Sequence, residues 1–128
     1  MAKVLLVEDD AEESRMYQKL FSLEGFEVTA IDNGQDCRAK AIEVKPDVIL
    51  MDIMMPKMNG FETLDVLRFD AETRKIPVIM LTNLSDADTK EDCMKRGAVK
   101  YIVKSQMEPK KLVETVREVV TSLAPKAV

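Results

Sequence analysis

Val48-Ile49-Leu50-Met51-Asp52 is the stretch on which the fold turns: an unbroken apolar run closed by a carboxylate. A strand with one wet face alternates apolar and polar side chains, whereas a strand covered on both faces is apolar throughout. Val48–Met51 therefore reads as an inner strand of a parallel sheet, and Asp52 opens the loop Ile53-Met54-Met55-Pro56-Lys57-Met58-Asn59-Gly60. Moving outward in both directions, short apolar runs recur at Val4–Val7, Phe26–Ile31, Val78–Leu81 and Tyr101–Val103. Val4–Val7 and Val78–Leu81 are again continuous, while Phe26–Ile31 alternates more and belongs nearer an edge.

Each interval between these runs has helical character. Asp10 caps a helix over about Ala11–Glu24 with Glu13 at its third position, Met16, Leu20 and Leu23 on one face, and Gly25 as the stop. A second spans Gly34–Val44 and is closed by Lys45-Pro46; a third runs from Gly60 to about Asp70 with Phe61, Leu64 and Leu67 inward. The fourth runs from about Asp86 to Arg96 and ends at Gly97. The fifth follows Pro109 and carries Leu112, Val113, Val116, Val119, Val120 and Leu123 as an apolar stripe. The order is (βα)5, an α/β chain whose right-handed crossovers give a doubly wound, five-stranded parallel sheet with helices on both faces. Five units are too few for an eight-fold barrel. Residues 1–124 are expected to form one domain, with 125–128 a frayed tail.

Composition narrows the chemistry. At 128 residues, 46% hydrophobic and 33% charged, the chain matches one ordinary globular domain of roughly 100–200 residues. A net charge of −4 disfavours direct nucleic-acid binding through the phosphate backbone. The sequence has no histidine, which removes Ser-His and Cys-His catalysis and the usual zinc ligand sets. Cys37 and Cys93 are isolated thiols suited to packing, and the start lacks the apolar stretch of a signal peptide. The apolar runs are strand-sized, so no membrane insertion is expected, and a reducing cytoplasm is the expected location.

In doubly wound sheets, ligands bind at the carboxyl ends of the strands. Those positions hold Glu8-Asp9-Asp10, Asp52, Thr82 and Lys104. Asp10 is taken up as a helix cap. Glu8, Asp9 and Asp52 would crowd together, and clustered carboxylates repel unless a cation or protons neutralise them. All-oxygen ligands, few and partly exposed, suit Mg²⁺. Lys104 adds a positive point charge and Thr82 a hydroxyl, so the pocket is shaped for an anionic tetrahedral group.

These residues carry a resemblance. Val7-Glu8-Asp9-Asp10, Asp52 through Gly60, Leu81-Thr82 and Lys100-Tyr101-Ile102-Val103-Lys104 together resemble the response-regulator receiver domain of two-component systems, over Lys3 to about Leu123. The resemblance implies a flavodoxin-like strand order 2-1-3-4-5. It implies that Asp52 is the phosphoacceptor, forming an aspartyl phosphate in a Mg²⁺-dependent phosphorelay step. Glu8, Asp9, Asp52 and the Met54 carbonyl would hold the metal, Glu8 through water, and Thr82 and Lys104 would contact the phosphoryl oxygens. Thr82 and Tyr101 would act as the switch, Tyr101 rotating inward as the loop Asn83-Leu84-Ser85 moves; the bland alternative for Tyr101 is a half-buried strand residue. The donor would be a histidine kinase or histidine phosphotransfer protein. A downstream protein would read the face made by the fourth helix, fifth strand and fifth helix. The protein is expected to be a signalling domain, not an enzyme acting on other substrates, and a monomer or weak dimer.

The sequence also departs from the family. Ser105 follows Lys104 where proline in a cis bond is usual, and a trans bond is expected here. Asn83 and Leu84 follow Thr82, and with Met54 also apolar, slow self-dephosphorylation is expected. Gly97-Ala98-Val99-Lys100-Tyr101 lacks the acidic pair of the winged-helix branch. Three other readings compete. A haloacid-dehalogenase-type phosphatase needs a second Asp where Met54 stands. A flavodoxin-type nucleotide domain needs a Gly-rich loop after Val7. A phosphorylation-independent interaction module keeps the fold without the chemistry.

Overall fold

The computed structural model describes residues 1–123; the tail expected at 125–128, and the domain end at 124, lie outside the described residues. The elements run β1 (Lys3–Val7), α1 (Ala11–Leu23), β2 (Glu27–Ile31), α2 (Cys37–Val44), β3 (Val48–Met51), α3 (Gly60–Phe69), β4 (Val78–Thr82), α4 (Ala87–Lys95), β5 (Lys100–Val103), a 3-10 turn (Lys104–Gln106) and α5 (Pro109–Leu123). The sheet order is β2-β1-β3-β4-β5 and every pairing is parallel. Val7 pairs with Met51, so β1 and β3 end level with one another; Met51 pairs with Met80, and β4 runs on past it to Thr82, which pairs with Val103 at the end of β5.

Each inner strand sends alternate residues to two cores. Leu6, Leu50, Ile79 and Leu81 meet Tyr17, Phe21, Val113 and Val116 on one side of the sheet. Leu5, Val7, Ile49, Met51 and Met80 meet Cys37, Leu64, Leu67 and Cys93 on the other. All of β3 and β4 is buried, while β2 is partly exposed along its length, as an edge strand should be.

Helix ends follow the capping chemistry. Asp10 accepts the Glu13 N–H at 3.0 Å. Asn59 and Glu62 exchange side-chain and backbone bonds in a capping box at the start of α3. Gly25 closes α1 at φ +89°, a left-handed turn in which Phe26 N–H reaches back to the Phe21 carbonyl. Two expectations are corrected. The inward face of α1 is Tyr17 and Phe21, with Leu20 partly buried, whereas Met16 is 52% exposed and Leu23 77% exposed. α2 starts at Cys37 instead of Gly34, because Asn33 Oδ1 accepts the Asp36 N–H and holds the preceding residues in a turn. On α5, Leu112, Val113, Val116 and Val119 are buried and Val120 packs against them; the Leu123 side chain lies outside the described residues.

Candidate functional site

The level ends of β1 and β3, with β4 and β5 running past them, set the site. Backbone bonds carry the alignment past the strands: Glu8 N–H donates to the Ile31 carbonyl and Asp52 N–H to the Val7 carbonyl, each at 3.1 Å. Glu8, Asp9 and Asp52 each offer an oxygen within 4.8 Å of the others. Glu8 is the buried member, and its second oxygen accepts the Asp10 N–H at 3.1 Å. Asp52 Oδ1 accepts its neighbour's N–H, from Ile53, at 2.6 Å.

Lys104 reaches into this cluster from the end of β5. Its ammonium donates to Glu8 Oε1 at 2.5 Å and to Asp52 Oδ2 at 2.8 Å. Only 6% of its side chain is exposed. Burial alone would lower the lysine pKa, but the hydrogen bonds and charges of Asp52 and Glu8 outweigh it and hold the ammonium above its ordinary value. Burial pushes the Glu8 carboxyl up, against the opposing pull of Lys104. The cluster is therefore a set of acids held by one internal cation, an arrangement that needs positive charge at its centre.

The loop after Asp52 is fixed by backbone contact. Gly60 N–H donates to the Ile53 carbonyl at 2.8 Å, and a Cβ at residue 60 would lie 2.6 Å from the Asp52 carbonyl oxygen. Within the loop, Met58 N–H reaches Pro56 O at 2.7 Å around Lys57, whose φ is 67°, a tight γ-turn. Met54 is 66% exposed.

Thr82 is buried at the end of β4, and its hydroxyl oxygen accepts the Leu84 N–H at 3.3 Å. Tyr101 donates its hydroxyl to the Leu84 carbonyl at 2.6 Å. Thr82 and Tyr101 thus grip opposite sides of one residue. The tyrosine expected to rotate inward is already tied to the loop, with its ring against the Cys93 side of the core. Among the described residues no peptide bond is cis, and Lys104-Ser105-Gln106 forms a 3-10 turn.

One neighbour was not singled out from sequence beyond its place in the α1 cap. Glu13 Oε1 stands 3.2 Å from the Lys104 ammonium. Its placement depends on the phase of α1 relative to β5, which no local pattern reveals. Tyr17, one turn further along α1, is buried beside the same charges, and burial raises its pKa.

No described helix is long and apolar enough to cross a membrane. The chain is 37% identical to Protein PilH of Pseudomonas aeruginosa over 119 residues, 93% of this chain and 98% of that protein. It is 36% identical to Regulatory protein AtoC of Escherichia coli over 102 residues, 80% of this chain but only 22% of that protein. Among solved structures, chemotaxis protein CheY4 of Vibrio cholerae aligns with a TM-score of 0.86 at 33% identity, over 93% of this chain and 98% of that one. The signal receiver domain of a signal transduction histidine kinase from Syntrophus aciditrophicus aligns at 0.88 with 25% identity, over 99% and 96%. The profile of the response regulator receiver domain matches residues 4–117, which take in β1 from Val4 onward, the other four strands, the acid cluster and Lys104, so the chain belongs to that family.

Proposed function

We propose that this receiver domain accepts a phosphoryl group on Asp52 and relays that event to a protein partner. The observation that carries the reading is the convergence of Asp52 with Glu8, Asp9 and Lys104 at the carboxyl ends of β3, β1 and β5. A carboxylate can act as a nucleophile toward phosphorus. A lone pair on the Asp52 carboxylate forms the new O–P bond as the bond from phosphorus to its donor breaks, and the donor keeps that electron pair. These 128 residues contain no histidine, so the donor is an external phosphohistidine on a kinase or phosphotransfer protein, or a small acyl phosphate.

The acid cluster fits a hard divalent cation: its donors are all oxygen, and Asp9 and Asp52 are not fully buried. Glu8, Asp9, Asp52 and the Met54 carbonyl would hold Mg²⁺, which when bound neutralises charge on the phosphoryl oxygens. Lys104 supplies the fixed ammonium on the other side, and positioned positive charge is what a loose phosphoryl-transfer transition state needs. Thr82 accepts from Leu84 and can turn its own O–H toward a phosphoryl oxygen. That turn weakens its grip on Leu84, whose carbonyl is the anchor of Tyr101. Phosphorylation then shifts a population between loop states, a coupling of about 1–3 kcal/mol. The face that feels it is α4, β5 and α5, where Ser85, Lys90, Tyr101, Gln106 and Met107 line a groove for a downstream protein.

Intact mass after incubation with Mg²⁺ and acetyl phosphate tests the reading. The expected result is a gain of about 80 Da that requires Mg²⁺ and is absent in Asp52→Ala. No gain with Mg²⁺ binding intact would leave a phosphorylation-independent interaction module. Neither Met54 nor Leu84 carries a polar group to orient attacking water. The aspartyl phosphate is therefore expected to persist for minutes or longer, and a decay within seconds by the same assay contradicts that.

A further inference from the structure

Three carboxylates face the Lys104 ammonium, and they are not held alike. Glu8 is pinned by its bond to Asp10 N–H and Asp52 by its bond to Ile53 N–H. Glu13 stands at 3.2 Å with its side chain 36% exposed, and among the described residues its carboxylate has no other ion-pair or hydrogen-bond partner. Its backbone is fixed, because Glu13 N–H donates to the Asp10 cap. The side chain can therefore leave Lys104 for water without moving α1, while the other two carboxylates are each also held by a backbone N–H. An ammonium has three protons to donate, and Glu8 and Asp52 hold two of them. An arriving phosphoryl group and Glu13 want the same remaining positive face.

We propose that Glu13 is a positioning residue that competes with the phosphoryl oxygens for the Lys104 ammonium and so slows phosphoryl transfer to Asp52. This deepens the phosphoacceptor reading and rests on it. The chemistry is a displaceable internal anion: the Glu13 carboxylate occupies Lys104 in the unphosphorylated protein and yields it to the anion that forms on Asp52. No bond other than the ion pair is exchanged. Because Glu13 is partly exposed, its hold on Lys104 is that of a surface ion pair, corresponding to a rate effect of roughly two- to fivefold.

Glu13→Gln and Glu13→Asp separate reach from charge. Gln keeps the length and loses the charge; Asp keeps the charge but is one methylene too short for the contact. Phosphorylation rates with acetyl phosphate at saturating Mg²⁺ are expected to rise roughly two- to fivefold in both variants. The ¹⁵N-detected Lys104 ammonium reports the contact without any phosphorylation, and its proton exchange is expected to accelerate in both. If Asp behaves like the wild type and only Gln is faster, Glu13 acts by general repulsion of the anionic donor and the proposal is overturned. Unchanged rates in both variants overturn it as well, with the phosphoacceptor reading left standing. If the ammonium signal responds but no protein, wild type included, takes up a phosphoryl group, the competition falls together with the phosphoacceptor reading.

Discussion

Gly60 fixes Asp52 by having no side chain. An added Cβ would sit 2.6 Å from the Asp52 carbonyl oxygen and 2.7 Å from Ile53 Cα, and both are backbone atoms with nowhere to go. Gly60→Ala is expected to cost about 1–3 kcal/mol by overpacking. The readout is a lower urea midpoint with an unchanged slope; a midpoint equal to wild type would show that the loop yields freely. Single residues were legible where position alone defines them. Glu8, Asp9, Asp52 and Lys104 come just after a strand and Thr82 closes one, so finding the strand ends finds the residues. Glu13 was legible as part of a cap but not as a neighbour of Lys104, since that contact arises from helix phase across the sheet. The shared hold of Thr82 and Tyr101 on Leu84 was hidden for the same reason: it is made by a loop whose path no periodicity encodes.

Strands were read almost to the residue because burial on both faces prints as an unbroken apolar run, as in β3 and β4. Helix faces were harder. In α1, Met16, Leu20 and Leu23 share an apolar stripe, but Tyr17 and Phe21 are one residue out of phase and bury larger rings. Aromatic volume, not the count of apolar positions, sets the rotation of the helix. Arg68 is the element-scale feature that sequence hid most completely. It lies near the end of α3, where a lysine or arginine reads as an exposed helix terminus. Instead its guanidinium donates to the carbonyls of Arg74 at 2.8 Å, Ile76 at 2.9 Å and Gly97 at 3.2 Å. It ties α3 to the entry of β4 and to the α4–β5 turn, and burial lowers its pKa. Arg68→Ala is expected to cost about 2–3 kcal/mol in urea unfolding, because three carbonyls lose a charged donor. Arg68→Lys should recover only part of this, since one ammonium cannot match the planar fork. A full rescue by lysine would mean that charge alone matters there.

At the scale of the molecule, one core gathers three groups that respond to alkali. Cys37 and Cys93, both fully buried, and the Tyr101 ring all belong to the side of the sheet that packs α2, α3 and α4. Burial pushes the Cys37 thiol up to about 12 and the Cys93 thiol to about 11, from an ordinary 9.0. Burial also moves the Tyr101 hydroxyl to about 12 from 10.0. In each case the folded state keeps a proton that the unfolded chain releases. Their contribution to stability is therefore fully present below pH 9 and is lost as pH rises from 9 toward 12, at up to about 1.4 kcal/mol per pH unit for each group. Urea midpoints are expected to fall between about pH 8.5 and 10.5. Lysines titrate in the same window, so the thiol share is isolated by Cys37→Ala/Cys93→Ala, which begins from a lower midpoint because it loses packing. The decisive quantity is the slope: the double variant should lose less stability per pH unit than the wild type. Equal slopes would mean that the thiols titrate alike in both states and that this core does not exclude water as its geometry requires. A parallel reading comes from a thiol reagent at pH 8, which should label neither cysteine in the folded protein and both in urea. Prompt labelling without denaturant would show the α2–α3–α4 side opening on its own, and the alkaline sensitivity would then belong to local opening and not to global unfolding.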